Sequence, residues 1–261
     1  MTVASARELL TARIFTHAAF PVMKVVLEDV PAMKRSFQAV NARVQFTARN
    51  GVDTVGAFLV FDQGAFRVEQ GLCNDPDVSF SFPSVAKMNA MLAGKLVLPR
   101  ISGWTKPGLL IKVLQLLLSL KLMMPGARPK DPERKKLKVK MIFYMITTAL
   151  SQYNKGGDPE MVRWTAKQPE RIYQMSVEPE GIAAYLRVRA GLTKAGRGYY
   201  ARRRPFVHMR FHGVDGALPV LLKDVEFVES VGKGYVTVEG SPEYAAAMND
   251  FMQRIQAMLT A

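Results

Sequence analysis

One pattern occurs twice in this chain. Arg43-Val-Gln-Phe-Thr-Ala-Arg49 opens a segment that closes at Val78-Ser-Phe-Ser-Phe82. Arg171-Ile-Tyr-Gln-Met-Ser-Val177 opens another that closes at Val207-His-Met-Arg-Phe211. The closing segments begin 129 positions apart, at Val78 and Val207, and a short helical pattern follows each, over 85–92 and 214–222. A repeat this long exceeds a solenoid unit and has the size of a small domain. Two related modules are therefore expected. Neither carries an obvious set of reactive side chains, which points to binding rather than chemistry.

Each copy has strand periodicity. In the first, Val44, Phe46 and Ala48 alternate with polar neighbours, and Asn50-Gly51 is a hairpin dipeptide. Strands over 54–61, through Phe66 and Val68, and over 78–82 complete a four-strand meander. The second copy repeats it over 171–178, 182–189, 195–201 and 206–211. A fifth strand, 234–240, follows there, while in the first copy Ser102-Gly-Trp-Thr-Lys-Pro-Gly108 stands where a clear fifth strand would be.

Helices are expected over 4–18, stopped near Pro21, and from Pro31 to about Ala42. Residues 108–124 are the most apolar stretch, with Lys112, Gln115 and Ser119 as one narrow polar stripe. Such a helix is buried nearly all round or touches something apolar that is not protein. A basic connection over 128–140 leads into a helix over 136–153, and Lys155-Gly-Gly-Asp158 reads as the linker. The expected domains are 1–155 and 156–261. Pro219 is placed in or near the first turn of the helix over 214–222. Ser241 caps a final helix with Tyr244, Met248, Phe251, Met252, Ile255 and Leu259 on its apolar face.

The net charge of +14 is concentrated. Residues 121–140 hold eight Lys/Arg and two acids, and residues 187–210 hold eight Lys/Arg and no acid. An anionic partner fits such windows, which are expected on the surface. The lone Cys73 excludes an intramolecular disulfide and a Cys-based metal site. The N-terminal stretch is broken by Arg7, Glu8 and Arg13 and lacks the core of a signal peptide. A cytoplasmic location, peripheral at a membrane, is the expectation.

The order helix, strands, helix, fifth strand, final helix resembles the sterol carrier protein type-2 family of lipid carriers. The carrying residues are Asp75-Pro-Asp-Val-Ser-Phe-Ser-Phe82, Met91-Leu-Ala-Gly-Lys95 and Ile101-Ser-Gly103. In the second copy they are Pro205-Phe-Val-His-Met-Arg-Phe211 and Val231-Gly-Lys-Gly-Tyr-Val-Thr-Val-Glu-Gly240. The resemblance implies an α+β fold of two such domains in tandem, each a mostly antiparallel five-stranded sheet covered by helices around an apolar tunnel. It implies lipid contact from Met88, Met91, Leu92, Leu110, Leu114 and Leu117 in the first copy. In the second it implies contact from Leu221, Leu222, Met248, Phe251, Met252 and Ile255. The expected ligand is a sterol, fatty acyl chain or isoprenoid, carried or presented to an enzyme with a hydrophobic substrate. Arg202, Arg203, Arg204, Lys135 and Lys136 are the expected contacts to an anionic membrane.

Catalytic signatures are absent. There is no G-x-S-x-G, P-loop or dinucleotide fingerprint. His208 and His212 lie in a strand pattern without a helical metal pair, and a solvent-facing place is expected for both. No enzyme, metal or cofactor is expected. A second reading stays open, a nucleic-acid or acidic-partner binder whose Tyr199, Tyr200 and Phe206 would stack bases beside Arg202 to Arg204. No recognised RNA-binding signature accompanies it, so no specific nucleic acid is expected.

Overall fold

The computed structural model describes residues 3–260 and is α+β, with two five-stranded mixed sheets. It divides into one unit up to Lys121, joined by residues from Met258 onward, and a second over Leu122–Ala257. The first unit contains α1 (Ala6–Ile14), α2 (Phe20–Asp29), α3 (Pro31–Phe37), β1 (Asn41–Asn50), β2 (Asp53–Asp62), β3 (Ala65–Gln70), β4 (Val78–Phe82), α4 (Val85–Leu92), β5 (Arg100–Ser102) and α5 (Pro107–Ser119). The second contains α6 (Pro132–Lys155), α7 (Pro159–Ala166), β6 (Arg171–Glu178), β7 (Ile182–Arg189), β8 (Leu192–Arg197), β9 (Val207–His212), α8 (Gly213–Leu221), α9 (Phe227–Gly232), β10 (Val236–Gly240) and most of α10 (Pro242–Thr260).

The first helix does not stop at Pro21. A π-helical turn, Phe15–Ala19, joins α1 to α2, and Pro21 sits just after it. The hydrogen-bond ladder is already interrupted there, so the amide that proline lacks costs little. The stretch 6–29 is long and apolar enough to cross a membrane by length and composition. Even so, Ile14, Ala18, Phe20, Met23 and Val25 are buried in the protein. Phe20 packs on Phe46, and Phe46 stacks on Phe80, at ring distances of 4.9 and 4.8 Å.

The sheets are not meanders. Their orders are β3-β2-β1-β4-β5 and β8-β7-β6-β9-β10. β4 crosses over to pair with β1 in parallel, and β9 does the same with β6, while the other neighbours are antiparallel. Alternation of apolar residues fixes which face is buried, not which strand is the neighbour. The registers match: Val44 lies opposite Val78, and Tyr173 opposite Val207, each pair 34 residues apart. The crossovers are tied alike. Gly71 N–H donates to Gly56 O (2.9 Å) and Gly198 N–H to Ala183 O (2.7 Å); Asp77 N–H donates to Arg43 O and Phe206 N–H to Ile172 O, both at 2.8 Å.

The first copy does have a fifth strand, the three-residue β5, whose Ile101 lies opposite Phe80. Gly103 follows it at φ +89°, where a Cβ would lie 2.1 Å from Asp77 O; at the end of β10, Gly240 has φ +99° and a Cβ would lie 2.0 Å from Phe206 O. Only glycine allows this backbone approach.

The boundary expected at 155/156 falls inside the second unit. Gly156 is the C-cap of α6, its N–H bonded to Gln152 O at 2.8 Å, so this pair of glycines is a turn between packed helices. Asp131 caps α6 by accepting from Arg134 N–H (2.8 Å), and the helix lies over β7, β8 and α8. It begins four residues before the expected start at 136. Three further expectations shift. The third strand of this copy, expected over 195–201, is 192–197, because Ala190 and Gly191 both take positive φ and close a two-residue turn. Pro219 lies late in α8 rather than in its first turn, and the helix expected from Pro31 to about Ala42 ends at Phe37, with Asn41 and Ala42 already paired in β1.

Candidate functional site

The twelve expected tunnel residues divide by burial. Met88, Leu110, Met248, Phe251 and Ile255 are buried. Met91, Leu92, Leu117, Leu221, Leu222 and Met252 are half-buried. Leu114 is 40% exposed. In α5 the inward side chains are Leu110, Val113 and Leu116, against α2 and α3, and Lys112 Nζ donates to Ser36 O (2.8 Å). The opposite face presents Ile111, Leu114 and Leu118 to solvent. Phe251 in α10 packs edge-on to Trp164 at 5.5 Å and lies 6.4 Å from Tyr153.

The basic windows are less free than their charge suggests. Lys138, expected at the surface, is fully buried. Its ammonium donates to the carbonyls of Leu122, Met124 and Ala127 at 2.8, 2.8 and 2.7 Å. Burial pushes its pKa down to about 8, with Arg128 acting in the same direction. Three carbonyl acceptors match the three donors of the charged form, so at neutral pH the ammonium clamps the turn after α5. Lys135 is half-buried and pairs with Asp215 (2.7 Å), and Arg128 pairs with Asp224 (2.5 Å). Arg203 lies 3.9 Å from Glu170, whereas Lys136, Arg202 and Arg204 are exposed.

The rings proposed for base stacking are engaged. Tyr200 packs edge-on to Tyr185 at 5.0 Å, and Tyr199 donates its hydroxyl to Glu178 (3.2 Å). Phe206 lies under the Arg171 guanidinium at 4.0 Å and beside Tyr244 at 5.2 Å.

The outer face of the second sheet carries the densest polar cluster that sequence reading missed. Ser176 Oγ and His208 Nε2 are 2.8 Å apart, and Arg210 bridges Glu178 (3.5 Å) and Glu239 (3.2 Å). His208 is buried, not solvent-facing, because the crossover over 198–206 folds across this face, held by Gln174, which accepts from Tyr200 N–H at 2.9 Å. Burial, then Arg210, lowers its pKa against the opposing pull of Glu239 and Glu178. His212, by contrast, is exposed and meets Thr237 Oγ1 at 2.7 Å. A cleft of about 430 Å³ opens beside the cluster, lined by Arg204, Pro205, His208, Arg210, Glu239 and Gly240. None of the expected tunnel residues lines it.

The cluster is not a hydrolytic triad. Ser176 is fully buried, and Glu178 touches the serine rather than the imidazole. A nucleophile needs access and a base oriented by a third group. Among the described residues no group of three or more His, Cys, Asp or Glu could hold a metal ion. The signal for the cluster was present in the sequence, since period 2 places Gln174, Ser176 and Glu178 on one face of β6 and His208 and Arg210 on the same face of β9. What was lacking was the parallel register that brings them together.

No family model matches this chain, and no curated protein does. Among solved structures, a double mutant of the sec-alkyl sulfatase PisA1 aligns at 10% identity and a TM-score of 0.28, covering 56% of this chain and 28% of that one. The stereoselective inverting sec-alkylsulfatase Pisa1 from Pseudomonas sp. aligns at 10% identity and a TM-score of 0.26, covering 55% and 28%. The aligned part is thus about a quarter of those longer chains, and likeness at this level carries no argument about fold or activity.

Proposed function

We propose that the chain is a tandem duplication of a sterol-carrier-like domain that binds a lipid without catalysis, in the cytoplasm and at the surface of anionic membranes. Support for duplication comes from the shared strand order, the equal 34-residue registers, the matched crossover hydrogen bonds and the paired glycines Gly103 and Gly240. The observation that carries the ligand class is the set of half-buried apolar side chains on the covering helices: Met91, Leu92, Leu117, Leu221, Leu222 and Met252. Each of these side chains still holds apolar area that a bound lipid would take from water. An apolar chain of a sterol, fatty acid or isoprenoid between helices and sheet would complete their burial. Presentation of that lipid to an enzyme with a hydrophobic substrate fits the same arrangement.

The test is titration of delipidated protein with fluorescent fatty-acid and sterol analogues, with mass spectrometry of an organic extract of the protein as purified. Saturation at one or two sites per chain supports the carrier. An extract free of lipid, together with no binding of any analogue, overturns it.

A further inference from the structure

Between Asp77 and Asp131 the chain holds eight Lys/Arg and no acid. The same stretch exposes several large apolar side chains. Leu96 is 95% exposed, Leu98 85%, Trp104 66%, Ile111 57% and Leu118 56%. A single exposed leucine is ordinary, but five large apolar side chains within 23 residues are not. Ile111, Leu114 and Leu118 recur at i, i+3 and i+7 and form one stripe along α5, on the side away from α2 and α3. The Trp104 indole N–H is already bonded to Ile101 O (2.9 Å), so the ring can leave water without stranding a donor. Lys95, Arg100 and Lys121 are exposed, and Lys106 is paired with Asp77.

We infer that residues 95–121 of the first unit form a bilayer-docking surface. Trp104, Ile111 and Leu118 enter the headgroup boundary, and Lys95, Arg100 and Lys121 meet anionic lipid phosphates. The charge selects the occupant. An apolar protein groove has no need of a surround this rich in exposed Lys and Arg, whereas interfacial helices combine an apolar face with Lys/Arg facing the headgroups, and tryptophan favours that depth. Arg202 to Arg204 then add only unspecific attraction to anionic lipid. The inference rests on the membrane side of the proposed function and not on the carrier side, so the two fail separately.

The experiment is co-sedimentation of the full chain with phosphatidylcholine vesicles, with and without phosphatidylserine. A triple variant, Trp104→Ala with Ile111→Gln and Leu118→Gln, should weaken binding to anionic vesicles at least tenfold. Its circular dichroism and its affinity for a fluorescent fatty acid should be unchanged, because all three side chains are exposed. Lys95→Glu with Arg100→Glu should abolish the preference for phosphatidylserine. In a Trp164→Phe background, Trp104 emission should shift to the blue on vesicle binding. The inference is overturned if the parent chain ignores anionic vesicles. It is equally overturned if the triple variant binds like the parent while Arg202→Glu, Arg203→Glu and Arg204→Glu together abolish binding. A parent chain that is dimeric in solution, made monomeric by the triple variant with vesicle binding unaltered, assigns the stripe to a second copy and overturns it too.

Discussion

Helices α5 and α10 occupy equivalent places, each directly after the fifth strand of its sheet, yet their outer faces differ in kind. α10 buries Ala245, Met248, Phe251 and Ile255 and exposes Glu243, Asp250, Gln253 and Arg254. That is the ordinary division of an amphipathic helix on a protein core. α5 buries Leu110, Val113 and Leu116 and exposes Ile111, Leu114 and Leu118. The sheets beneath differ in the opposite sense. On the outer face of the first, Gln45, Thr47, Ser79 and Ser81 are neutral, and Thr47 donates to Ser81 at 3.2 Å. At the equivalent positions the second sheet has Gln174, Ser176, His208 and Arg210. The lesson is that one scaffold keeps its apolar core pattern twice while its other faces are put to different uses, apolar along α5 in the first copy and ionic across the sheet in the second.

The largest expected effect contrasts the helices directly. Met248→Glu places an unpaired carboxylate in a buried site and should cost more than about 3 kcal/mol, enough to unfold the second unit. Leu114→Glu, on the open face of α5, should change stability by less than about 1 kcal/mol. Urea unfolding followed by circular dichroism compares them; similar losses would erase the distinction between the two faces.

Next in size is the glycine pair. Gly103→Ala and Gly240→Ala each force a Cβ against a carbonyl oxygen at positive φ, so each should destabilise its own unit by roughly 2 kcal/mol. Hydrogen exchange at β5 and β10 localises the damage. A Gly103→Ala variant as stable as the parent breaks the equivalence of the two fifth strands.

The smallest effect is electrostatic and confined to the second sheet. Because burial lowers the pKa of His208, the unfolded chain takes up the proton first as pH falls below the ordinary histidine value. The stabilisation is complete above that value and is lost as pH falls through the folded pKa. A fall in stability is expected on acidification from neutral pH towards pH 5. His208→Gln should flatten that slope, and Ser79→Ala in the first sheet should leave it intact. Proton NMR of the His208 ring gives the direction independently; a pKa above the ordinary histidine value would reverse the prediction.

The sequence made most strands legible, because alternation such as Val44, Phe46, Ala48 or Tyr173, Met175, Val177 is written along the chain. It also made the last helix legible, since Ser241 and Pro242 mark its start. It did not reveal that the helix expected from Lys136 already begins at Pro132, because the Asp131-Pro132 start signal was absorbed into a run of charge. Nor did it reveal the burial of His208 and Lys138. Both depend on backbone from elsewhere, the crossover over 198–206 and the carbonyls after α5. Polar residues buried by long-range contacts leave no local periodic mark. The candidate lipid contacts were legible as apolar faces, but exposure of the α5 stripe was not, since the sequence shows how apolar a helix is and not how much of it is covered.

The parallel strand at the centre of each sheet also orders assembly in time. β1–β2 and β2–β3 can close as local hairpins, whereas the pairing of Val44 with Val78 must bring together residues 34 apart, and so must that of Tyr173 with Val207. Local hairpins form in microseconds, and longer closures carry a larger entropic cost before any contact rewards them. The fifth strand and its helix have no edge to join until that closure is made. α5 follows that closure in the chain, and until it is made the inward side chains Leu110, Val113 and Leu116 stay in water, where unburied apolar surface favours aggregation.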